Sequence, residues 1–61
     1  MDAHRPAPIT MWRNVKTGHD YWVLTRGVHS ETGEELVVYV DGLGQVWIRP
    51  LDLFRRRFRP Q

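Results

Sequence analysis

Cysteine is absent from the 61-residue chain, which excludes disulfides, thiolate metal sites and a cysteine nucleophile. Serine is nearly as scarce: Ser30 is the only one. Its neighbour His29 projects from the opposite side of an extended chain, so the two do not make a nucleophile and its base. The histidines His4, His19 and His29 lack the i, i+4 or clustered spacing of a metal site, and neither a metal nor a cofactor is expected. No apolar run approaches the roughly 20 residues of a membrane-spanning helix, and the first ten residues lack the apolar stretch of a secretory signal. The expectation is a protein without membrane contact, in a reducing cytoplasm.

Hydrophobic residues make up 41% of the chain, enough for a globular domain. The large apolar units are three tryptophans, two tyrosines and two phenylalanines. A net charge of +2 conceals an asymmetry. Residues 1–54 carry five basic side chains against seven acidic ones, whereas Arg55, Arg56, Arg57 and Arg59 crowd the last seven residues. The body is mildly acidic and the C-terminal end basic.

Residues 1–10, with Pro6 and Pro8 and little apolar content, read as a flexible leader. From Met11 the texture becomes short β-branched and aromatic runs broken by turn signals. Met11–Val15, Tyr21–His29, Leu36–Val40 and Gln45–Arg49 read as strands. Period-2 alternation puts Tyr21 and Val23 opposite Trp22 and Leu24, and Trp47 and Arg49 opposite Val46 and Ile48. Ser30–Glu34 reads as a tight hairpin loop with Gly33 in the left-handed region. Pro50 ends the fourth strand and suits the start of a helix, in which Leu51, Phe54 and Phe58 form one apolar stripe. The fold expected is all-β: a small SH3-like partly open barrel, a four-stranded antiparallel meander, closed by a short C-terminal helix. The barrel domain is expected over residues 11–54 and a basic tail over 55–61.

Trp12, Tyr39, Trp47 and Arg49 are the candidate binding residues. Aromatics that a core this small leaves partly exposed form a stacking platform for a peptide, a base or a cation. Arg49 stands between an apolar strand and a proline; it either pairs with Glu34, Glu35 or Asp20 or faces an anionic ligand beside Trp47. Arg55, Arg56, Arg57 and Arg59 are candidate phosphate contacts for a nucleic acid. Against these stands the plain reading that most aromatics build the core and the arginines are a solvated helix end.

The stretches Trp12-Arg13-Asn14-Val15-Lys16-Thr17-Gly18, Tyr21-Trp22-Val23-Leu24, His29 to Tyr39 ("HSETGEELVVY") and Trp47 to Phe54 ("WIRPLDLF") resemble a bacterial and phage family called domain of unknown function 1653. The resemblance covers residues 12–54, and it departs at the short loop Asp41–Gln45 and at Thr25-Arg26. It implies a compact β-rich domain without an assigned activity, and it marks His29, Glu34, Tyr39, Trp47 and Arg49 as motif positions.

The function expected is a small non-enzymatic binding module, a bacterial or phage accessory protein that recognises a protein or peptide, or a nucleic acid through the basic tail. Self-association is a related expectation, because leftover apolar aromatics could be buried between copies. The alternative is a small enzyme using His29 and Glu34 or Glu35 as acid and base near Arg49.

Overall fold

The computed structural model describes residues 10–61. The leader expected over residues 1–10 lies outside them except for Thr10. That residue opens strand β1 (Thr10–Asn14), followed by β2 (Asp20–Val28), β3 (Glu35–Asp41), β4 (Val46–Pro50), helix α1 (Leu51–Arg57) and β5 (Phe58–Pro60). They build one open antiparallel sheet in the order β4-β3-β2-β1-β5. The expected meander is its first four strands.

The fifth strand was not foreseen. Phe58 completes the apolar spacing of a helix, yet its backbone is extended, with φ −124° and ψ 149°, and its N–H closes the helix onto the Phe54 carbonyl. Without β5, β1 would leave one edge of the sheet unpaired. The chain instead turns there and pairs Asn14 with Phe58, Arg13 with Arg59 and Trp12 with Pro60. Backbone bonds from Val15 N–H to the Arg57 carbonyl (2.9 Å) and from Gln61 N–H to the Met11 carbonyl (3.0 Å) fasten both ends of the return. Residues 55–61 therefore belong to the helix and the sheet.

Pro50 is the last residue of β4 and the cap of α1, and it contributes no side-chain capping bond. The helix is short, with Asp52 in its first turn and three arginines in its last, the charge order that a helix dipole favours.

The β2–β3 hairpin turns through Gly33 at φ +75°, a conformation that costs any residue with a Cβ. Gly33 N–H donates to the His29 carbonyl (2.9 Å). The His29 ring sets the same turn, its Nδ1 accepting from the N–H groups of Glu31 (3.1 Å) and Thr32 (3.3 Å).

Register divides the sheet into two faces. On the inner face Thr10, Val23, Tyr39 and Trp47 align across four strands, with Arg26, Val37 and Arg49 in another row. Helix α1 packs over this face, and Val37, Tyr39, Phe54 and Phe58 form the buried core. The rings interlock edge to face: Tyr39 lies 5.1 Å from Phe54 and 5.3 Å from Phe58, and Tyr21 lies 5.2 Å from Phe58. The outer face aligns Met11, Trp22, Val40 and Val46, and beside them Val38 and Ile48. A bulge at Leu24 separates the two halves of the β2–β3 ladder and bends β2.

Candidate functional site

Between β2 and α1 the inner face is left open. A cleft of about 590 Å³ lies there, floored by Trp12, Val23, Val37, Leu51 and Phe54 and rimmed by Arg26 and Arg55, with Thr10, Leu24 and Thr25 at its margin. The floor belongs to the core, since Trp12 meets the buried Phe54 edge to face at 5.2 Å. The indole is also held by a bond from Nε1 to Thr10 Oγ1 (2.9 Å). The cleft is apolar below and cationic at the rim, and its volume lies in the range of ordinary ligand pockets.

The four candidate binding residues do not form one surface. Trp12 lines the cleft. Tyr39 is buried at 3% exposure in the middle of the core, where burial raises its pKa above the ordinary tyrosine value and the nearby Arg49 charge works against that rise. Trp47 shares the inner face but reaches past the core, and remains 48% exposed. Its Nε1 donates to Asp41 Oδ2 (3.0 Å). Arg49 stands over the Phe58 ring with its guanidinium carbon 5.6 Å from the centroid, a cation–π contact at the edge of the core.

Two of the carboxylates expected for Arg49 are engaged elsewhere. Asp20 accepts from Arg13 Nε (2.7 Å) and Glu35 faces Arg26 at 3.8 Å. The Arg13 hydrogen bond holds the Asp20 carboxyl below the ordinary carboxylate range. Asp41 is lowered likewise, first by the Trp47 indole N–H and then by the backbone N–H groups of the β3–β4 turn. Those of Leu43 (2.9 Å) and Gln45 (3.0 Å) both donate to Oδ1. The exposed Trp47 is thus tied to the turn that positions it.

The arginines expected to act as one tail are split by the fold. Arg55 borders the cleft, Arg56 and Arg57 line a separate hollow with Arg49, and Arg59 bonds back to the carbonyls of Arg55 (2.6 Å) and Phe58 (2.9 Å). The hairpin acids are exposed, and the His29 Nδ1 is occupied by the turn it caps. Among the described residues no group of three His, Cys, Asp or Glu could hold a metal ion, and no helix is long and apolar enough to cross a membrane.

The cleft draws residues from β1, β2, β3 and α1, and of these Trp12 and Arg55 were candidate site residues from sequence, Arg55 as a phosphate contact. Arg26 carried a signal: it is a charge set inside the longest strand-like run, between Thr25 and Gly27. The bulge at Leu24, which borders the cleft, had none.

These features define a β-rich domain with an open inner face. Residues 10–59 match the family described as Protein of unknown function (DUF1653), and the chain belongs to that family, as the "HSETGEELVVY" and "WIRPLDLF" motifs indicated. No curated protein and no solved structure matches the chain.

Proposed function

We propose that the protein is a non-enzymatic binding module of a bacterium or phage that recognises a segment of a partner protein in the cytoplasm by seating one aromatic or aliphatic side chain in the cleft between β2 and α1. The strand order, with α1 between β4 and β5 and β5 returning to β1, supports reading the domain as a partly open SH3-like barrel. The observation that carries the proposal is the open cleft lined by the partly buried Trp12, Val23 and Leu51 above the buried Val37 and Phe54. A rigid apolar site of this kind binds without paying to order itself. Arg26 and Arg55 at the rim favour acidic residues beside the anchor. The occupied ring nitrogen of His29 and the exposed position of Glu34 and Glu35 favour binding over catalysis.

Selection from a displayed random-peptide library tests this. The selected sequences should share an apolar anchor flanked by Asp or Glu. Thr10→Trp, which fills the cleft from an exposed position on the inner face, should abolish binding, and Arg26→Glu with Arg55→Glu should weaken it by at least about tenfold. Selected peptides without an apolar anchor, or bound equally by Thr10→Trp protein, would overturn the reading.

A second reading, self-association, is favoured by the outer face, where Val46 is 48% and Ile48 64% exposed beside Trp22 and Val40. Sedimentation over a range of concentrations should show a dimer that Ile48→Lys dissociates. A monomer at every concentration would contradict it.

A further inference from the structure

On the side of α1 away from the cleft, the fold brings Arg49 of β4 beside the consecutive Arg56 and Arg57 of α1. Helical spacing turns Leu51, Phe54 and Arg55 toward one side, and Leu53, Arg56 and Arg57 toward the other. There, at the junction with β4, Arg56 and Arg57 meet Arg49 around a hollow of about 460 Å³ whose remaining walls are Ile48, Pro50 and Leu53.

Nothing among the described residues neutralises this group. From Val46 to Gln61 five arginines meet a single carboxylate, Asp52. Asp52 accepts from its neighbour Leu53 N–H (2.9 Å) and lines a different hollow with Glu34 and Glu35. Arg49 has only the neutral Tyr39 hydroxyl and the Phe58 ring as neighbours, and no described carboxylate or carbonyl bonds the guanidinium groups of Arg49, Arg56 or Arg57, whereas Arg13 and Arg59 both have such a partner. Three like charges around one hollow repel one another, and an anion bound between them offsets that repulsion by attracting all three.

We propose that Arg49, Arg56 and Arg57 form an anion site that holds one phosphate group. Guanidinium forks match phosphate oxygens in geometry as well as charge, and the concave hollow presents them to a single group. A polyanion track is disfavoured by the split of the arginines, since Arg55 faces the cleft and Arg59 is bonded to the backbone. Ile48, Pro50 and Leu53 offer an apolar wall to whatever organic part carries the phosphate. The site is independent of the peptide cleft, and either proposal survives the failure of the other.

The test is titration of the isotope-labelled full chain with inorganic phosphate and, separately, with phenyl phosphate, following the arginine Nε–H signals by NMR. The expected result is saturable shifts confined to Arg49, Arg56 and Arg57. Arg56→Gln with Arg57→Gln, both exposed positions, should weaken binding by at least about tenfold, while Arg55→Gln leaves it unchanged. Equal affinity for the two probes would mark free phosphate as the ligand, and tighter binding of phenyl phosphate would mark a phosphate monoester. The proposal is overturned by shifts that spread over all the arginines without saturating, or by an oligothymidylate that binds where both monophosphates fail. Arg49→Gln adds a check, because its loss should weaken binding as Arg56→Gln does in protein whose circular dichroism is unchanged.

Discussion

Phe54 and Phe58 lie face to face, their ring centroids 4.3 Å apart and their planes 6° from parallel, although one belongs to α1 and the other to β5. Both are 1% exposed. The stack joins the end of the chain to the middle of the core. Phe58→Ala should therefore cost about 3–5 kcal/mol, comparable to the whole stability of a domain this small. Urea denaturation should find the variant unfolded or nearly so. A loss below about 1 kcal/mol would show that β5 is peripheral.

The same pair explains what was legible in the sequence. The spacing of Leu51, Phe54 and Phe58 marks all three as one apolar stripe, and period-2 alternation correctly puts Tyr21 with Val23 and Trp47 with Arg49 on shared faces, both of them the inner one. Register, however, depends on pairing between distant segments. Phe58–Arg59–Pro60 is too short to display alternation, and only the free edge of β1 makes it a strand. Tyr39 and Trp47 looked alike as exposed aromatics of neighbouring strands; α1 covers one and stops short of the other. The cleft borders a local bulge, and single-residue bulges leave little trace in composition.

Acid should weaken the fold through Asp41 and Asp20. Both carboxyls are lowered in the folded state, so their contribution is present above the unfolded value of about 3.9. It is lost as the pH falls through the lower folded value. Asp41→Asn should flatten the acid limb of a stability-against-pH curve measured by urea denaturation. An unchanged acid limb would mean that the Trp47 and backbone bonds to Asp41 do not persist in solution.

Alkali acts through Tyr39. Burial raises its pKa, so the stability it confers is complete below the unfolded value of about 10 and declines as the pH rises toward the folded one. Arg49→Gln removes the opposing charge and should move the Tyr39 ionisation, followed by absorbance, further upward. Movement downward would show that Arg49 does not sense this ring.

Gly33→Ala should destabilise the β2–β3 hairpin by roughly 1–2 kcal/mol, because the left-handed backbone crowds a Cβ against the following carbonyl. Gly27→Ala provides the control: it lies in β2, and an added Cβ meets nothing within 4 Å. Equal thermal stability of the two variants would contradict the turn geometry.

The claim that the inner face is the recognition surface has one direct measurement: mapping of a selected peptide onto the labelled domain by methyl and indole chemical shifts. The account predicts that the methyl groups of Val23, Val37 and Leu51 and the Trp12 indole N–H shift together with one binding constant, while Trp22, Val40 and Ile48 stay in place. Shifts confined to Trp22, Val40, Val46 and Ile48 would place recognition on the outer face and contradict it.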